Sequence, residues 1–234
     1  MVFNNRLFIG LFILIFVCTI FYLNLNYFFL IFLLFFVCFE FYIIDFIKFD
    51  KNFFIQLTLL LIFIFLLRYI QNIHLILIIT FLTISTIVNK NLIRFLFPLS
   101  IFLFFYILLM ILKIDKNLFY LIFFISFFND TLAYIFGRLV KGPLIIPKIS
   151  PKKTWSGTSI SFLLSFSFLI YYDFNTLESI LLSLSLFLGD LYFSYIKRSL
   201  NLKDFSKLLY SHGGFLDRLD SMYLFSIILL FFSS

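Results

Sequence analysis

Charge is scarce in this chain. Asp, Glu, Lys and Arg make up 12% of its 234 residues, against 64% apolar and 24% aromatic ones. A soluble domain carries roughly a quarter charged residues, so that class is excluded. Cysteine is nearly absent, and Cys18 and Cys38 both lie inside apolar runs with no C-x-x-C or Cys/His spacing nearby. They read as small membrane-buried residues, not as a disulfide pair or a zinc site. No internal repeat, nucleotide-binding glycine motif or disordered tail is present. Acids are fewer than bases, 11 against 18, for a formal charge of +7. The bases sit between apolar runs, where membrane orientation explains them first, and no nucleic-acid partner is expected.

What the chain does contain is long apolar runs broken by short polar ones. A helix crosses the hydrocarbon core in about 20 residues, so the expected fold is an all-α polytopic integral membrane protein with about nine transmembrane helices. The spans are read near 6–23, 26–44, 53–71, 73–88, 93–112, 117–136, 158–172, 177–196 and 219–234. Arg6 precedes a long apolar run without a small-residue cleavage motif, so the first run is expected to be a retained span. With the N-terminus in the cytoplasm, 15 of the 18 Lys and Arg fall on the inner face, leaving Arg68, Lys113 and Lys116 outside. That asymmetry sets the expected orientation.

Residues 1–116 read as a transmembrane scaffold and 117–234 as the transmembrane region that carries the candidate chemistry. In the first part Glu40, Asp45, Arg68, His74 and Arg94 lie near span ends, where charged groups reach water, and are read as interface anchors. The scaffold offers a lipid-facing wall or an oligomer interface, a homodimer being one such arrangement.

Three polar elements follow. Asp130 lies inside a span, where an ionisable group costs about 2.5 to 3.5 kcal/mol, and is therefore a functional candidate. The loop after it carries Pro143, Pro147 and Pro151, which exclude helix, and five bases with no acid. It reads either as an orienting, lipid-attracting loop or as a phosphate site built on Lys152 and Lys153. In the second element Asp190, Ser194 and either Lys197 or Arg198 repeat at helical spacing along one stripe that begins beside Gly189. The third runs to Ser221. There Asp217 and Asp220 share one helix face and can hold a divalent cation, while Gly213 and Gly214 precede the helix and leave free N–H groups for phosphate.

These elements resemble the signatures of the phosphatidate cytidylyltransferase family. One signature, D-x-x-A-Y-x-x-G-R followed by S-P-K-K-T-W-x-G, is matched by Asp130, Ala133, Tyr134, Gly137, Arg138, Ser150, Pro151, Lys152, Lys153, Thr154, Trp155 and Gly157. The other, S-x-apolar-K-R, K-D, then H-G-G-apolar-x-D-R-apolar-D, is matched by Ser194, Lys197, Arg198, Lys203, Asp204, His212, Gly213, Gly214, Asp217, Arg218 and Asp220. Gly189 and Asp190 occupy the place of a further G-D pair. Tyr210 stands where the family has Pro or Gly, and Ser156 where it usually has Glu. The resemblance covers about 130–221, with the first half alike only in being several spans.

The resemblance implies transfer of a cytidylyl group from CTP to phosphatidate, with Mg²⁺ as cofactor and membrane lipids as surroundings. It implies Asp190 and Asp217 as principal metal ligands, supported by Asp220 and Asp130. Lys152, Lys153, Lys197, Arg198 and Arg218 are the phosphate-binding candidates, with Ser194, Gly213 and Gly214 beside them. His212 either bonds a phosphate or fixes the glycine turn. Trp155 either stacks on cytosine or anchors at the interface. The expected location is a bacterial inner membrane with the site facing the cytoplasm, an organelle membrane being the other setting. A polyprenol kinase type of enzyme, a transporter and a catalytically silent relative are the other readings.

Overall fold

A computed structural model describes residues 17–44, 72–209 and 213–233. The expected first span up to residue 16, the expected span at 53–71, and Asp45, Lys48, Lys51, Arg68, Tyr210, Ser211 and His212 lie outside the described residues, as does the Lys152 side chain. The helices are α1 (Asn26–Ile43), α2 (Asn72–Val88), α3 (Ile93–Ile114), α4 (Lys116–Leu139), α5 (Trp155–Tyr171), α6 (Thr176–Ser199) and α7 (Leu216–Ser233). A short 3₁₀ turn, Lys90–Leu92, leads into α3. Each of these helices coincides with an expected span to within three residues at either end. The chain is an all-α membrane protein. Among the described residues, α1, α3, α4 and α6 are long and apolar enough to cross a membrane, and α2 and α5 are shorter apolar helices. Helix α7 has 18 residues, but its first two turns carry Asp217, Arg218 and Asp220.

Local sequence explains where helices begin and end. Asp115 opens α4 by accepting a 2.8 Å bond from the Asn117 N–H, which satisfies one of the free donors of the first turn. Asn24, Asp173 and Asn201, beside helix ends, take left-handed φ of 55°, 68° and 58°, which Asn and Asp tolerate better than most residues. The proline-rich stretch departs from the expected irregular loop. It forms an antiparallel hairpin of β1 (Leu144–Ile146) and β2 (Ser150–Thr154), with Leu144 opposite Thr154 and Ile146 opposite Ser150. A two-stranded ribbon has only edge strands, so Pro151 within β2 removes no central ladder bond.

Helices α6 and α7 pack most extensively, followed by α4 with α5. Both crossings depend on missing side chains. A Cβ on Gly189 would collide with the Asp220 carbonyl of α7, and one on Gly157 would collide with the Ala133 carbonyl of α4. The core is aromatic, with Phe41, Phe97, Phe104, Phe119, Phe193, Tyr223 and Phe225 fully buried. Phe35, Phe81 and Phe95 face outward.

Contacts between helix ends sort the described turns into two layers. At one end the Tyr195 hydroxyl donates to the Ile87 carbonyl at 3.0 Å, and Arg198 Nε donates to Ile149 of the hairpin turn at 3.1 Å. At the other end Asn26 Nδ2 donates to the Tyr120 hydroxyl at 2.8 Å. There also Asn117, Tyr120, Phe168 and Tyr172 line one cavity. Both strongly basic polar stretches therefore lie in one layer, as the parity of their spans requires.

Candidate functional site

The site forms where the hairpin, the second half of α6 and the first turns of α7 meet. The hairpin leads straight into α5, whose N-cap is Thr154: its hydroxyl accepts from the Gly157 N–H at 3.3 Å. This gives T-x-x-G a structural meaning, since Thr154 caps the helix and Gly157 lets it lie against α4. Ser156 donates to the Thr154 hydroxyl at 3.2 Å. Trp155, the first residue of α5, is exposed.

Lys153 leaves β2 and pairs with Asp190 Oδ2 in the middle of α6, its ammonium also lying 5.4 Å from the Phe187 ring centre. The carboxylates of Asp130, Asp190 and Asp220 lie close enough to feel one another's charge, and Lys153 acts on all three. Arg218 acts on Asp130, and Lys197 on Asp220. Acids from α4, α6 and α7 are thus gathered around shared cations. Among the described residues, no three His, Cys, Asp or Glu side chains form a ready-made metal cage.

Asp217 stands apart from that group. Its Oδ1 accepts from Lys197 Nζ at 2.8 Å, and both side chains are buried, 8% and 11% exposed. Its Oδ2 accepts from the Gly214 N–H at 2.9 Å and from the Phe205 N–H at 3.1 Å. Both oxygens are therefore engaged in fixing the turn before α7, and Lys197 also lies over the Phe205 ring at 5.6 Å. Gly213 has φ of +80°, a conformation that glycine adopts without steric cost. Ser194 is buried on the α6 face that carries Asp190 and Lys197. Arg198 donates to two backbone carbonyls, Ile149 and, at 2.9 Å, Leu202, so it ties the hairpin to the end of α6.

Sequence reasoning missed Glu40. Read as an interface anchor, it is instead fully buried at 0% exposure, facing Ser206, Phe215 and Leu216. A signal was present, because a carboxylate near a span end that does not reach water needs several donors of its own.

The cytidylyltransferase family model matches residues 4–234. The chain belongs to the cytidylyltransferase family. It is similar to the phosphatidate cytidylyltransferase of Rickettsia bellii, 42% identical over 118 residues, which covers 44% of this chain and 51% of that protein. It is also similar to that of Rickettsia conorii, 40% identical over 116 residues, covering 43% and 50%. That of Aquifex aeolicus is 37% identical over 134 residues, covering 53% and 52%. The chain spans about half the length of these curated relatives. In this member of the cytidylyltransferase family, the signature residues from Asp130 to Asp220 contributed by α4, the hairpin, α6 and α7 come together in one layer.

Proposed function

We propose that the chain transfers the cytidylyl group of CTP to phosphatidate, giving CDP-diacylglycerol and pyrophosphate for phospholipid synthesis. The observation that carries this reading is the pairing of Lys153 with Asp190, which brings the two polar stretches to one place. The similarity to phosphatidate cytidylyltransferases supports the choice of substrates.

In the reaction a phosphate oxygen of phosphatidate attacks the α-phosphorus of CTP, the α–β bridging bond breaks, and pyrophosphate leaves with the electron pair. An ionised phosphate needs no strong base. The main obstacle is the approach of one polyanion to another, which fixed positive charge overcomes. Lys152, Lys153 and Arg218 bind the phosphates in this reading. Lys197 and Arg198 hold the frame around them, with Ser194 on the same wall. Gly213 and Gly214 leave room for phosphate at the start of α7, with His212 adjoining them in sequence.

The residues fit Mg²⁺, because Asp130, Asp190 and Asp220 bring three hard carboxylates within reach of one another's charge, and this ion takes few protein ligands. Asp190 and Asp220, supported by Asp130, would hold it, and when bound it supplies charge neutralisation at the phosphates. Asp217, expected from sequence as a principal ligand, acts in this reading by fixing Lys197 and the glycine turn.

The same reading has about nine spans around this site, using roughly 20 residues for each crossing. The site faces the cytoplasm, where CTP is found, from a bacterial inner membrane, and the outward apolar faces meet membrane lipid or a second copy in a homodimer. The test is purified protein in detergent with radiolabelled CTP and either phosphatidate or a polyprenol as acceptor. Lipid-soluble CDP product from phosphatidate, lost in Asp190→Asn, supports the reading. Labelled product from polyprenol alone, or none from either, overturns it.

A further inference from the structure

Glu40 lies in the part of the chain that carries none of the signature residues, yet among the described residues every bond its side chain makes reaches the signature loop. Its Oε1 accepts from the Ser206 hydroxyl at 2.5 Å and from the Phe215 N–H at 2.6 Å, and its Oε2 accepts from the Leu216 N–H at 2.8 Å. Phe215 and Leu216 open α7, where the first N–H groups have no partner within the helix and a negative charge is favoured. One turn earlier on α1, Phe36 stacks on the Phe215 ring, with centres 4.6 Å apart and planes 26° apart. Gly214 is pressed so closely against this carboxylate and Ser206 that a Cβ there would collide with both. Two contacts of different chemistry, one hydrogen-bonded and one aromatic, thus grip one turn.

We propose that Glu40 is a positioning residue for the reaction: from the N-terminal scaffold it clamps the Gly213–Gly214 turn and the start of α7, and so sets where Asp220 and Arg218 stand relative to Asp190. This rests on the function proposed above. The clamp acts on geometry, so it governs turnover more than substrate affinity. An ångström of misplacement at a reacting centre costs about 100-fold in rate.

The experiment compares the parent with Glu40→Ala, Glu40→Gln and Ser206→Ala, measuring kcat and KM for CTP and phosphatidate, thermal unfolding, and amide hydrogen exchange at Phe215 and Leu216. In Glu40→Ala kcat is expected to fall about 30- to 100-fold with both KM values within about threefold, because ground-state binding is retained. Exchange at the two amides should rise about 10- to 100-fold, since each loses a charge-assisted bond. Glu40→Gln keeps the acceptor for Ser206 and Phe215 but sets an NH₂ group against the Leu216 N–H, so it should recover only part of the turnover. A folded Glu40→Ala variant whose kcat is within about twofold of the parent's, with only its unfolding temperature lowered, overturns the proposal. Should that variant not fold, Ser206→Ala decides: kcat lower by about three- to tenfold with faster exchange at Phe215 supports the clamp, and parent-like values overturn it. A parent that makes no CDP-lipid overturns the proposed function instead, and amide exchange then decides the clamp by itself.

Discussion

The Lys153 ammonium rests on the Asp190 carboxylate, joining the strand before α5 to the middle of α6, with the two side chains 18% and 23% exposed. These residues are 37 positions apart, and each belongs to a different polar stretch. The pair is more exposed than the Lys197–Asp217 pair.

Removing either member takes one charge out of the cluster that Asp130, Asp190, Asp220 and Lys153 share. Lys153→Met and Asp190→Asn are each expected to lower CDP-lipid formation about 100-fold or more, and the double variant to lose less than the product of the two. Initial rates in detergent check this. Fully multiplicative losses would mean that the pair does not act as a unit.

Asp217 and Asp220 lie one turn apart but should behave oppositely in stability. Asp217→Asn breaks a buried ion pair and weakens two backbone bonds, so it is expected to cost about 3 to 5 kcal/mol and to lower the unfolding temperature. Asp220→Asn relieves repulsion from Asp130 and Asp190, so its unfolding temperature should stay the same or rise while turnover falls about 100-fold. Thermal unfolding of both variants separates the roles, and the reverse order of stability would exchange them.

Gly189 keeps α6 and α7 close at the level of the acids. In Gly189→Ala the new Cβ must push against the Asp220 backbone, moving that carboxylate away from Asp190. Overpacking of this kind costs about 1 to 3 kcal/mol, and turnover is expected to drop with it. Parent-like activity and unfolding would show that the crossing can relax freely.

Metal removal gives an independent check. Exhaustive chelation should abolish cytidylyl transfer, and added Mg²⁺ should restore it. Turnover that survives chelation would take the ion out of the mechanism.

Sidedness can be read by labelling. Lys148 in the hairpin turn and Asp173 after α5 are exposed in opposite layers. In inverted membrane vesicles Lys148→Cys should react with an impermeant thiol reagent and Asp173→Cys should not. The opposite pattern would invert the proposed orientation.

Much of the architecture is legible in the sequence because each membrane helix is specified by its own apolar length. The expected spans at 26–44 and 93–112 became α1 and α3 almost unchanged. The three polar elements were visible for the same reason: charge within such an apolar chain stands out without any knowledge of its neighbours. The hairpin was not foreseen, since prolines that exclude helix are equally compatible with an irregular loop and with an edge strand.

The sequence by itself determined that this is a membrane protein, which polar residues are its chemical candidates, and, through the parity of spans, that the two basic stretches share a face. Only the tertiary structure decided which charges meet. Lys153 found Asp190, Asp217 was taken up by Lys197 and the turn, and Glu40 reached 175 positions along the chain to Phe215. Helix formation is local and leaves a local pattern. Pairing of buried charges depends on how helices cross, at points such as Gly189 and Gly157, and no single stretch of sequence encodes that geometry.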